Sequence, residues 1–171
     1  MNRRNYVATA LIAATLFAIS PSFAQEPVTG AKDPEALFTS PDKKLNANKQ
    51  VILHIVRDLL EANHWSDAPK YISKRYLQHN PMVASGLEPV MKFFGSRTPQ
   101  PIPKRGEWKT RVVSVLAEGD LVMVATVREL PHPTQAGKTY TTTWFDMWRI
   151  KDGKADEHWD GATLPAPPPA R

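Results

Sequence analysis

Apolar and polar positions change their period along this chain, and the changes mark out its elements. Val51, Ile52, Ile55, Val56, Leu59 and Leu60 recur at three- and four-residue intervals. That is the spacing of one helical face, and it predicts an amphipathic helix of about 18 residues from near Leu45 to near Asn63. Ser66 or Asp67 is placed to cap a second, short helix with Pro69 in its early turns, reaching about Ser73 and turning Tyr71 and Ile72 inward. Leu87 to Phe94, set between Gly86 and Gly95, reads as a third short helix. Past the proline-rich stretch 95–106 the period becomes two. Trp108 to Ala117 and Leu121 to Leu130 read as strands joined by Glu118-Gly119-Asp120, and 139–150 and 154–160 as a further pair joined by Lys151-Asp152-Gly153. Helices first and antiparallel strands afterwards describe an α+β domain, with helices packed on one face of a curved sheet.

The two ends lack such periodicity. MNRRNY, the apolar run VATALIAATLFAI and Ser22-Phe23-Ala24 read as a secretory signal peptide, residues 1–24, cut after Ala24. The apolar run is too short to span a bilayer. The expected location is therefore periplasmic or secreted, with no membrane association once the leader is gone. Residues 25–44 mix proline, glycine and charge and read as a flexible mature N-terminus; residues 45–163 form the folded domain, and 164–171 a proline-rich, extended tail.

Composition narrows the function. The chain has no cysteine, so an exported protein of this kind has no disulfide, thiolate metal site or cysteine nucleophile, and its stability must come from a core. The formal charge is +5, and Arg3 and Arg4 belong to the predicted leader. The remaining basic residues are scattered with no basic stripe, so neither a nucleic-acid partner nor an anionic membrane surface is indicated. No glycine-rich phosphate loop and no GxSxG elbow occurs.

Candidate chemistry gathers in two strings. In FDMWRIKDGKADEHWD, a three-residue loop with Gly153 in the left-handed position pairs Ile150 with Lys154, Asp146 with His158 and Trp144 with Asp160. Asp146, His158 and Asp160 then share a face with Trp144 and Trp148, so acids and an imidazole stand among bulky apolar walls. A strand face turned to solvent would have the same pattern, and a strict two-residue turn would shift the pairing by one. In YISKRYLQHNP, Pro81 forces Asn80 out of helical geometry and leaves Gln78, His79 and Asn80 as consecutive polar groups near Tyr76. Such groups suit the orientation of a carbonyl or hydroxyl, or else cap a helix end.

YISKRYLQHNP, the GLEPV helix start at 86–90 and FDMWRIKDGKADEHWD together resemble the SnoaL-like, polyketide-cyclase-related family of the nuclear transport factor 2 superfamily, over about Leu45 to Thr163. The resemblance implies a cone-shaped α+β barrel, a bent antiparallel sheet wrapped around the N-terminal helices with a pocket in its mouth. It also implies acid/base chemistry on a carbonyl compound without a cofactor, of the aldol condensation, isomerisation or dehydration type. The acid/base aspartate of such cyclases matches Asp160. The position held by a histidine in the cyclases falls here on Asp146, a departure for which His158 could supply the imidazole. Asp160, Asp146 and His158 are thus the candidate catalytic residues, and Tyr76, Gln78, His79, Asn80, Trp144 and Trp148 the candidate substrate contacts. No cofactor is expected, and no metal, since no HxH or HxxxH pair occurs. The expected partner is a small carbonyl or apolar ligand. A homodimer through the outer sheet face is common among relatives, and a non-catalytic binding protein for a hydrophobic molecule is the alternative from another class.

Overall fold

Asp42 opens the first helix, α1 (Lys43–His54): its carboxylate accepts the Leu45 N–H at 2.9 Å and satisfies one of the free donors of the first turn. In this computed structural model, which describes residues 26–166, the helix continues through Ile55–Glu61 in the wider π geometry, and Asn63, at φ 60°, turns the chain away. After a single 3₁₀ turn, α2 (Ala68–Tyr71) leads directly into β1 (Ile72–Gln78). The remaining elements are α3 (Leu87–Phe94), β2 (Val112–Glu118), β3 (Leu121–Pro131), β4 (Thr139–Lys151) and β5 (Lys154–Asp160). Among the described residues no helix is long and apolar enough to cross a membrane. The predicted leader lies outside the described residues, as does the end of the proline-rich tail.

The five strands form one curved sheet in the order β1-β5-β4-β3-β2. The α+β architecture with helices on one sheet face is therefore as expected, with two corrections. The sheet does not close, because β1 and β2 are both edges, and it is not wholly antiparallel, because β1 runs parallel to β5. Period-two reasoning passes over β1 for a physical reason. Its two deeply buried residues, Ile72 and Tyr76, are four apart, which also suits a helix, while Lys74 and Arg75 between them are exposed. α2 accordingly stops at Tyr71 instead of near Ser73. β2 likewise starts at Val112, not Trp108, because the Glu61 carboxylate takes the N–H groups of Lys109 and Thr110, each at 2.9 Å.

The segment before α1, expected to be flexible, is docked. A 3₁₀ turn at Glu35–Phe38 drives Phe38 into the core, where it is fully buried 5.8 Å from the Trp108 ring. Lys49 Nζ and Gln50 Nε2 donate to the carbonyls of Leu37 and Phe38, and the Ala31 N–H donates to Val112 O at 2.7 Å. With Phe38, the fully buried Ile52, Leu59, Ile72, Val90, Val112, Val122 and Val124 fill the space between the helices and the concave face.

The hairpin β4–β5 carries the decisive detail. Asp152 and Gly153 both have positive φ, 51° and 72°, so the turn has two residues and Lys151 pairs with Lys154. Ile150 pairs with Ala155 but Arg149 pairs with Glu157, so Asp156 is an extra residue, a β-bulge. Its buried carboxylate accepts from Ser73 Oγ at 2.7 Å and Arg75 Nε at 2.8 Å, tying the bulge to β1. The Arg75 guanidinium, with help from Ser73, holds this carboxyl below the usual range. A depressed folded-state value contributes stability that is complete above the unfolded carboxyl range, near pH 4, and is lost as pH falls below it. Wild type should therefore lose more of its urea midpoint than Asp156→Asn between pH 7 and pH 3; equal losses would detach the bulge from acid stability.

Candidate active site

The concave face and the helices enclose a cavity of about 300 Å³. Its apolar wall comes from Ile55 and Leu60 on the first helix, Trp65 in the following turn, and Val90 and Phe94 on α3. Its other wall is the sheet, where alternate residues face inward: Ile72, Tyr76 and Gln78 from β1, Trp144, Asp146 and Trp148 from β4, His158 and Asp160 from β5, with Asn80 just beyond β1. The predicted hairpin residues thus do share one face. Their partners differ from expectation, since Asp146 is opposite Asp160, and Trp148 is opposite His158. The two-residue turn moves the register by one and the Asp156 bulge by one more, and a shift of two leaves every side chain on its original face.

His79 is a correction. Because Gln78 points inward, the next residue points outward, and His79 lies on the far side of the sheet. There it stacks on Trp159 at 5.1 Å and meets Glu157 Oε1 at 2.9 Å. The apolar wall is what sequence reading left unassigned to the site. Its signal was the helical periodicity itself, which assigns residues to a buried face without separating core from cavity lining.

Hydrogen bonds connect the polar wall into one network. His158, buried, has Nδ1 at 2.8 Å from Gln78 Oε1 and Nε2 at 3.1 Å from Asp146 Oδ1. Asp160 accepts from Asn80 Nδ2 at 2.7 Å on one oxygen and from the Ala162 N–H at 2.9 Å on the other. Asn80 is itself fixed, its Oδ1 accepting the Met82 N–H at 2.9 Å, and Ser85 Oγ accepts the Gln78 N–H. Tyr76 Oη accepts from Trp148 Nε1 at 3.0 Å, which leaves the phenol proton to be donated. Burial pushes the Tyr76 hydroxyl well up from its ordinary value, outweighing the opposite effect of the Trp148 bond, so it remains protonated. At the other end of the acid row the Arg128 guanidinium covers Trp144, 4.4 Å from the ring centre.

Among the described residues, Asp146, His158 and Asp160 form the one trio of His, Asp or Glu side chains whose ligand atoms all lie within 4.8 Å of one another. Two carboxylates and an imidazole are a donor set that suits zinc- or iron-class ions. Strand alternation already grouped these three residues on one face in the sequence; their close approach follows from the pairing of β4 with β5. As it stands, the wall offers a proton acceptor at Asp160, an imidazole–carboxylate pair that can hold and release a proton, and a phenol donor, all facing an apolar chamber.

The SnoaL-like domain model matches residues 54–158, which span α1's end to His158. The chain belongs to the SnoaL-like domain family. No curated protein matches this SnoaL-like chain. Solved structures resemble it at low identity. A protein from Jannaschia sp. CCS1 named for SnoaL-like polyketide cyclases is 16% identical, over 71% of this chain and 89% of that one, with a TM-score of 0.48. An NTF2-like protein of unknown function from Mesorhizobium loti is 14% identical, over 71% and 95%, with a TM-score of 0.49. An LEH-like epoxide hydrolase of M. tuberculosis is 9% identical, over 67% and 80%, with a TM-score of 0.47.

Proposed function

We propose that this SnoaL-like protein is an exported enzyme that performs cofactor-independent acid/base chemistry on a small carbonyl compound. The observation that carries the reading is the meeting of Asp160, the His158–Asp146 pair and the protonated Tyr76 in one apolar cavity. Asp160 takes a proton from the carbon next to the carbonyl, and the C–H electron pair becomes an enolate. The enolate oxygen receives a hydrogen bond from Tyr76 or from the second N–H of Asn80. In a condensation the enolate carbon attacks a second carbonyl, a C–C bond forms, and the new alkoxide takes its proton from the His158–Asp146 pair. In an isomerisation the same proton goes to carbon.

The chamber also bounds the substrate. At about 30 Å³ per water in the liquid, it has room for roughly ten waters, which is at the small end of ligand sites. A monocyclic or short-chain carbonyl compound fits, with its polar end on the sheet and its apolar body against Ile55, Leu60, Trp65, Val90 and Phe94.

The test follows the first step. Small ketones, aldehydes and β-dicarbonyl compounds are incubated with the protein in deuterated water, and loss of the α-proton signal is followed by NMR. Saturable, enzyme-dependent exchange of at least one compound is expected. Compounds that raise the melting temperature and yet exchange no faster than in buffer would overturn the enzyme reading in favour of a binding protein.

A further inference from the structure

Gln78 settles which nitrogen of His158 carries a fixed proton. The backbone N–H of Asn80 can only donate, so the Gln78 atom 3.0 Å from it is the amide oxygen. That same oxygen lies 2.8 Å from His158 Nδ1 and can only accept there, so Nδ1 must carry hydrogen. Nε2, 3.1 Å from Asp146 Oδ1, is then the one ring nitrogen free to gain or lose a proton. The ring is buried between Trp148, at 4.9 Å, and Tyr76, at 6.4 Å, and turning it over would put carbons where both nitrogens now bond.

We propose that Gln78 is a positioning residue: its amide oxygen commits His158 to the Nδ1-protonated form, so that a single mobile proton is shared between His158 Nε2 and Asp146. Without that acceptor the pair could shed the Nδ1 proton instead. The remaining proton would then stay on Nε2, tied to Asp146, and the pair could no longer deliver it. The same oxygen anchors the Asn80 backbone, and Asn80 holds Asp160, so one amide sets both the donor pair and the acceptor. The proton assignment is independent of the reaction proposed above; its catalytic consequence rests on that reading.

The measurement is a long-range ¹H–¹⁵N correlation of the His158 ring in the ligand-free, full-length protein, with His158→Gln used to assign the signals. Wild type should show Nδ1 as the permanently protonated nitrogen. An Nε2–H ring with a bare Nδ1 would overturn the proposal outright. Gln78→Met keeps length and volume but removes the acceptor, and the Nδ1–H signature should disappear; an unchanged ring in the folded variant would also overturn it. Gln78→Glu restores an acceptor and adds charge. It should keep Nδ1 protonated, so a bare Nδ1 in that variant overturns the proposal even if Gln78→Met does not fold. Conversion of an exchanging compound to its condensed or isomerised product separates the two ideas. Loss of product formation in Gln78→Met with partial rescue in Gln78→Glu supports the catalytic role. Unaltered product formation alongside the expected ring signals removes that role and leaves the assignment standing.

Discussion

Asp160→Asn should lower the rate of α-proton exchange by about 10²–10⁴-fold, equivalent to roughly 2.7–5.4 kcal/mol of barrier at 1.36 kcal/mol per tenfold. The amide has nearly the shape of the carboxylate and no basic oxygen of comparable strength, so binding should suffer far less than the proton-transfer step. The surroundings add a second effect. Both oxygens of Asp160 accept N–H bonds, from Asn80 Nδ2 and from the Ala162 backbone. An asparagine has one oxygen and one NH₂ group, so one of those donors must then face another donor. That mismatch should cost about 1–3 kcal/mol of stability. The two effects are read separately: exchange rate at saturating ligand for the chemistry, urea midpoint for the network. A folded Asp160→Asn protein that exchanges as fast as wild type would remove Asp160 as the base.

Phe38→Ala should destabilise the protein by about 3–5 kcal/mol, the range for emptying a buried aromatic site. Phe38 is completely buried and packs against Trp108; Lys49 Nζ donates to the carbonyls of Leu37 and Thr39 on either side of it, and Gln50 Nε2 to its own. Its site lies between α1 and the base of the sheet, so the loss should appear in the global unfolding transition. A change below about 1 kcal/mol in the urea midpoint, converted with the measured slope, would mean that residues 26–42 rest on the domain without contributing to it. A cut placed at Leu45, where helical periodicity begins, should for the same reason produce a much weaker fold than one placed before Pro27.

Local patterns in the sequence predicted the elements that local physics governs. α1 and its continuation follow from the 51–60 periodicity, α3 from its flanking glycines, and the two hairpins from period-two runs around Glu118-Gly119-Asp120 and Asp152-Gly153. The common face of Trp144, Asp146, Trp148, His158 and Asp160 was legible for a stricter reason. Side-chain direction in a strand repeats every two residues, so a register in error by two still assigns each residue to its correct face. What periodicity cannot carry is which residue lies opposite which, or which edge receives a distant strand. The pairing of Asp146 with Asp160 depends on a bulge that Ser73 and Arg75, more than 80 positions away, hold in place. β1 itself is visible only once β5 lies beside it, and that pairing turns Gln78 toward His158 and His79 away from the cavity. Leu37 and Phe38 look like a short apolar pair in a polar stretch until the helix and the sheet close over Phe38. The sequence determined the hairpin face of the site through alternation, a local property; tertiary contacts, which bring together groups far apart in the chain, added the apolar wall, removed His79 and decided which groups exchange hydrogen bonds.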